Sequence, residues 1–251
     1  DRGAQDYSLE AACGKVFSSE CAWWVADETI QVLGGLGFMK SYPAERVMRD
    51  LRIFRIFEGA SEILRLYIAL NGIQGAGNEL KPLQQALKQP LANLGTLVPA
   101  AISMAKARAG MPDTPSLPHV HASLRPGAAI VEECTGKFGA ATRELLMKYG
   151  KGIIDKQLPL ERAASVAMEL TAATAALARA TRSLERGAPT AELEKNLANG
   201  FAMEAGARCR TLIAEMNPAS STVTKLDKLR TEIASSVFSA GGYPAKHPLG
   251  F

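Results

Sequence analysis

Among the acidic side chains of this sequence, Glu58 has the neighbours that a carbon base needs. It follows Ile56-Phe57 and precedes Gly59, within Arg52-Ile53-Phe54-Arg55-Ile56-Phe57-Glu58-Gly59-Ala60-Ser61-Glu62-Ile63-Leu64-Arg65. Apolar neighbours desolvate a carboxylate and raise its pKa toward neutrality, which suits it to removing a weakly acidic proton from carbon. A glycine directly after it frees the backbone. The same position also fits an acidic residue at the start of a helix, where the macrodipole favours negative charge. Spacing leaves both readings open.

A second chemical signal is Gln31-Val32-Leu33-Gly34-Gly35-Leu36-Gly37-Phe38. Glycines this dense permit positive φ and let a ligand come close to the backbone, as phosphate-cradling turns require. No strand pattern precedes the run, so a dinucleotide-binding fingerprint fails its own context. A plain glycine stop between two helices is the competing reading.

Other candidates carry less. His119 and His121 flank Val120 without further ligands at metal-binding spacing, so they read as exposed loop histidines and no metal site is predicted. Glu132-Glu133 and Asp155 show no arrangement of paired carboxylates. Cys13, Cys21, Cys134 and Cys209 are far apart with no C-x-x-C pair, the pattern of free buried thiols in a reducing compartment. The 251 residues are 47% hydrophobic and 22% charged, and the net charge of +4 is too mild to call for nucleic acid. The basic residues are not interleaved with aromatics, which also argues against a nucleic-acid surface. No run of eighteen apolar residues could span a bilayer. The start Asp1-Arg2-Gly3-Ala4-Gln5-Asp6 is neither an initiator Met nor a signal or transit peptide, so the chain reads as a fragment with any targeting sequence upstream.

The elements that must position these residues are predicted to be all α-helical. Leu9, Ala12, Cys13, Val16, Cys21, Trp24 and Val25 form one face of a first helix, capped by Asp6 or Ser8 and stopped by Gly34-Gly35. Trp23 and Trp24 are expected in core and interface packing. A second helix is predicted from about Glu62 to Ile73, with Ile63, Leu64, Tyr67 and Leu70 inward. The intervening Arg49 to Gly59 reads as a buried connection. After Gly77 the character changes: Leu80 to Pro112 holds Lys81, Lys88, Lys106 and Arg108 and no acid, and a Pro-rich run follows.

Four helical patterns come next. The first uses Val131, Cys134, Phe138, Leu145 and Tyr149. The second uses Leu160, Ala163, Ala167, Leu170, Leu177 and Leu184, with small residues from Ala163 to Ala180 for close packing. A third starts with Pro189 in its first turn and carries Leu193, Leu197, Phe201 and Leu212. The last uses Leu226, Leu229, Ile233 and Val237. Their short breaks favour an antiparallel four-helix arrangement.

The stretch from Asp6 to Ile73 resembles the acyl-CoA dehydrogenase family. Three motifs carry the likeness in order: Gln31-x-x-Gly34-Gly35-x-Gly37-Phe38, Tyr42-Pro43-x-Glu45-Arg46-x-x-Arg49-Asp50 and Ile56-Phe57-Glu58-Gly59. Gly150-Lys151-Gly152-Ile153, Arg179-Ala180-x-Arg182-Ser183-Leu184 and the terminal Pro248-Leu249-Gly250-Phe251 are similar to the long-tailed branch of the family, which acts on long and very long acyl chains. The resemblance implies the carboxy-terminal helices of the family's helical bundle, 1–79, then a basic segment and linker, 80–118, then an appended helical-bundle domain, 119–251. It implies that Glu58 removes the α proton of a fatty acyl-CoA while the β hydrogen leaves as hydride to the N5 of FAD, giving a trans-2-enoyl-CoA. Phe57 and Gly59 would line the thioester site. Gln31, Val32, Leu33, Gly34 and Gly35 would contact the FAD of a neighbouring subunit, in a homo-oligomer expected to be a dimer. Ala60, Ser61 and Glu62 would also face FAD. Ala60 stands where the family usually has Thr, and Ser61 substitutes for it if the helix cap moves by one residue.

The resemblance further implies electron-transfer flavoprotein as acceptor and a peripheral place on the matrix side of the mitochondrial inner membrane. That contact would run through about Leu91–Gly110, where Leu94, Leu97, Val98, Ala101, Ile102 and Ala105 form an apolar face. Pro99 in its middle argues instead for a linker. The alternative function is that of a respiratory-complex assembly factor related to these enzymes, with the helical tail as its docking module.

Overall fold

The structure is a computed structural model and describes residues 5–86 and 92–245. Lys88, Leu91, Asp1-Arg2-Gly3-Ala4 and Pro248-Leu249-Gly250-Phe251, singled out above, lie outside the described residues. Among the described residues there is no strand.

The helices are α1 Ser8–Leu33, the single turn α2 Gly35–Phe38, α3 Ala44–Leu51, α4 Ser61–Ala86, α5 Leu94–Arg108, α6 Arg125–Tyr149, α7 Gln157–Glu185, α8 Ala191–Glu215 and α9 Ser221–Ala240. The all-α expectation holds, and α1 ends at Gly34 as its glycine pair predicts. Asp6 makes its start: its carboxylate accepts the Ser8 amide at 3.0 Å, which satisfies one of the orphan donors of the first turn. Helix α4 does not stop near Ile73. It continues through Pro82 to Ala86. Pro99 likewise sits within α5 without breaking it. Pro189 lies before α8, whose N-cap is Thr190.

Residues 1–216 form one compact unit, and its core joins the early and late helices. Val16 from α1 and Ile68 from α4 are buried with Leu124, Leu145, Leu160 and Leu177. Each of these large side chains contributes on the order of 1.5–3 kcal/mol by leaving water. Helices α7 and α8 make the most extensive helix–helix contact, and both bury many small residues: Ala163, Ala164, Ala173 and Ala180 on α7, Ala198, Ala202, Ala205 and Gly206 on α8. Residues 217–251 form a separate unit, so the expected four-helix arrangement is not one unit. Within it, Ser220 caps α9 by accepting the Val223 amide, and Leu226, Leu229, Ile233 and Val237 keep the expected helical spacing.

Several faces differ from expectation. Trp24 is 62% exposed, and Cys21, Val25, Ile63, Tyr67, Leu193 and Leu197 are exposed as well. The inward positions are taken by Ala12, Ser19 and Ala26 on α1 and by Ile68, Ala69 and Ile73 on α4. Ala12 keeps its expected inward place, and the small Ser19, Ala26 and Ala69 allow close helix approach, which leaves bulky neighbours outside. Three of the four thiols are buried as expected, and burial pushes the Cys209 thiol up to about 12. Arg49 to Gly59 is not a buried connection: it is the end of α3 followed by a 3-10 turn, Arg52–Arg55, with Ile53, Phe54, Ile56 and Phe57 exposed.

Candidate active site

The Glu58 segment is a short bridge between two fixed ends. On its upstream side the 3-10 turn is closed by the Ile56 and Phe57 amides, both donating to the Ile53 carbonyl at 2.8 and 3.0 Å. The Phe54 and Phe57 rings stack with centroids 5.5 Å apart, and the Arg52 guanidinium lies over the Trp23 ring of α1 at 5.7 Å. On its downstream side α4 begins, with the Ala60 carbonyl accepting the Leu64 amide at 2.9 Å. That bond puts Ala60 at the N-cap position, where it offers no side-chain oxygen.

Between these ends Glu58 has φ +53°, the only positive φ of a non-glycine residue among the described residues. A left-handed conformation costs an ordinary residue roughly 1–3 kcal/mol and tends to collect at working sites. Gly59 follows with φ +91°, and a Cβ there would press on Leu64 at 3.1 Å. The conformation therefore favours glycine at 59, and Leu64 would have to give way to any side chain there. Lys15, half-buried on α1, donates from Nζ to the Gly59 carbonyl at 2.6 Å across 44 residues of sequence.

The Glu58 side chain is exposed, and Ile56 and Phe57 are themselves half open to solvent, so this chain does not enclose the carboxylate as expected. Ser61 is also different from expectation. It lies in the first turn of α4 and is fully buried at 0% exposure, so its hydroxyl does not replace the missing cap. The hydroxyl has no hydrogen bond of normal geometry but lies close enough to Glu20 to favour that carboxylate's ionised form. Glu62 beside it is exposed.

Helix α4 is fastened to α1 by a bidentate pair. Arg65 donates from Nη1 and Nη2 to the two Glu20 carboxylate oxygens, each at 2.6 Å. Burial pushes the Glu20 carboxyl up, but the hydrogen bonds and charge of Arg65, helped by Arg55, outweigh it and hold it below its ordinary value. This pair and Lys15 were invisible to a reading by local spacing, because each joins residues more than forty positions apart.

The glycine run sits at the other end of α1. Gly34 has φ +58° and ψ −137°, a combination open to glycine, and nothing lies within 4 Å of where a Cβ would stand on Gly34 or Gly35. Gln31 and Val32 are exposed there, Val32 at 83%, while Leu33 is half-buried. An uncovered helix end with open backbone fits the close approach of a ligand such as FAD. At 1.5 Å per residue, Gln31 lies roughly 24 Å along α1 from the Lys15 that touches Gly59.

Among the described residues no cluster of His, Cys, Asp and Glu could hold a metal. His121 is a cap rather than a loop histidine, accepting the Ser123 amide through its ring. Glu132 and Glu133 are taken up by ion pairs with Arg125, and with Lys137 and Arg210. No described helix is long and apolar enough to cross a membrane.

The model of the acyl-CoA dehydrogenase C-terminal domain matches residues 1–72, and that of the ACAD9/ACADV C-terminal domain matches residues 122–243. The very long-chain specific acyl-CoA dehydrogenase, mitochondrial, of Homo sapiens is 42% identical over 252 residues, covering 100% of this chain. The chain belongs to the acyl-CoA dehydrogenase family. It spans 38% of the length of that human relative and of its 41% identical counterpart in Mus musculus. A probable acyl-CoA dehydrogenase, FadE10, of Mycobacterium tuberculosis is 30% identical over 84% of this chain and 35% of its own length. An acyl-CoA dehydrogenase from Bacillus anthracis, solved in complex with FAD, superimposes with a TM-score of 0.67 at 26% identity, over 87% of this chain and 35% of that one. The two acyl-CoA dehydrogenase domain matches fall on either side of α5.

Proposed function

We propose that the protein carrying this chain is an FAD-dependent acyl-CoA dehydrogenase acting on long and very long acyl chains, with Glu58 as its base. The observation that carries the proposal is the conformation of Glu58, held at φ +53° between a closed 3-10 turn and the start of α4. A strained acid whose backbone is fixed on both sides is pre-organised to present its carboxylate in one direction.

A Glu58 carboxylate oxygen takes the α proton of the acyl-CoA thioester, and Phe57 and Gly59 line the thioester beside it. FAD, when bound, supplies the acceptor for the β hydrogen, and the product is a trans-2-enoyl-CoA. Gln31 to Gly35 would hold the FAD of a neighbouring subunit, and Ala60, Ser61 and Glu62 would also face FAD. Ser61 is fully buried, so in this chain it supports the start of α4 and is not itself open to the cofactor. The long separation along α1 between the glycine run and Glu58 supports a site shared between subunits. The two domain matches support residues 1–79 as the end of the catalytic bundle and 119–251 as the appended domain, with the helices of 1–216 sharing one core. Electrons pass on to electron-transfer flavoprotein. Reduction of a dye acceptor by the full-length protein with palmitoyl-CoA tests the proposal. Turnover supports the enzyme, and a flavin that palmitoyl-CoA leaves oxidised supports an assembly factor instead.

The matrix face of the mitochondrial inner membrane is the proposed location, in keeping with the mitochondrial names of the relatives. Leu94, Val98 and Ile102 are exposed along one line of α5 with Lys106 at its end, an arrangement suited to lying in an anionic interface. Cardiolipin vesicles should bind the intact protein in a salt-sensitive way, and deleting residues 91–110 should abolish it. Binding that survives the deletion would place the contact elsewhere.

A further inference from the structure

We propose that Lys15 is a positioning residue for the base, holding Glu58 in its left-handed conformation through the carbonyl of Gly59. The inference rests on the reading of Glu58 given above. A residue with a Cβ relaxes out of positive φ unless the chain on both sides of it is tied down. Upstream the ties are local: two amides on the Ile53 carbonyl and the stacked Phe54 and Phe57 rings. Downstream, the peptide that follows Gly59 is the first that could swing, because the intrahelical ladder of α4 begins only at the Ala60 carbonyl. The Lys15 hydrogen bond at 2.6 Å holds that peptide.

Lys15 is well placed for this work. It stands on α1 between Ala12 and Val16, both buried, so the core fixes where its stem begins. Its ammonium has no carboxylate partner among the described residues, and the hydrogen bond to the carbonyl is charge-assisted and short. Glycine at 59 is free to rotate, so without this bond the segment would lose its definition where the base needs it. The Glu20–Arg65 pair, further along α1 and within the early turns of α4, holds the two helices together so that Lys15 reaches its target.

The test compares Lys15→Met, which keeps the length of the side chain and removes the donor, with Lys15→Arg, which keeps a charged donor, in the full-length FAD-bound protein. Lys15→Met should slow flavin reduction by saturating palmitoyl-CoA about 10- to 100-fold, the scale of an ångström-sized misplacement, with a much smaller change in KM and normal FAD content. Amide hydrogen exchange at 58–60 should be faster in Lys15→Met than in wild type, and Lys15→Arg should restore both readouts most of the way. Wild-type reduction by Lys15→Met, or slow reduction with unchanged exchange at 58–60, would overturn the proposal. If Lys15→Met does not fold, Lys15→Leu, which also lacks a donor, is read in the same way. Glu58→Gln separates the two levels. If it is inactive while Lys15→Met is normal, only the role of Lys15 fails; if it is fully active, the base has been misassigned, and the exchange measurement still decides what Lys15 holds.

Discussion

At the scale of single residues, Glu58 stores strain that its neighbours support. The left-handed backbone there costs roughly 1–3 kcal/mol, and glycine would not incur it. Glu58→Gly should therefore raise stability by about 0.5–2 kcal/mol, the relieved strain less the entropy of an added glycine, while eliminating the base. A thermal midpoint above that of the parent checks this, and a midpoint below it would mean that the segment is not strained. The sequence showed the carboxylate and the glycine after it. It could not show the positive φ at 58, because no side chain other than glycine announces that conformation. Nor could it show Lys15, whose partner is a backbone carbonyl 44 positions away.

At the scale of the helices, ion pairs between elements give a pH signature. The Arg210 guanidinium and the Lys137 ammonium hold the Glu133 carboxyl at about 2, below its ordinary 4.5. Its contribution to stability is complete above about pH 4.5 and is lost as the pH falls from there toward about 2. The Glu20 carboxyl, held low by Arg65 after burial is overcome, adds to stability with the same sign. Helicity followed by circular dichroism should thus fall as acid is added below pH 4.5, and Glu133→Gln should flatten that fall, modestly because the pair is partly exposed. A variant with the parent's acid profile would remove Glu133 from the account. Helix existence was legible because the 3.6-residue periodicity is strong, and the end of α1 because Gly34 stops it. The buried faces were less so. Leu193 and Leu197 look like core residues at helical spacing, yet Ala198, Ala202 and Ala205 occupy the interior of α8. Hydrophobicity marks a residue that avoids water, not which neighbour covers it.

At the scale of the whole molecule, this chain holds the proposed base and, roughly 24 Å along α1 from the Lys15 that touches Gly59, a glycine-rich helix end suited to a cofactor. Trp24, Val25 and Phe38 are apolar yet exposed in this chain, so a reading for core faces placed Trp24 and Val25 inward where the structure does not. Three motifs at fixed spacing made the family legible, since they record chemistry rather than packing. What they could not convey is that the early and late helices share one core, which depends on contacts far apart in sequence. The central claim is that Glu58 removes the α proton. The most direct measurement is stopped-flow bleaching of the flavin by palmitoyl-CoA in full-length Glu58→Gln. The account predicts a protein that retains FAD and does not bleach; bleaching at the wild-type rate would contradict it.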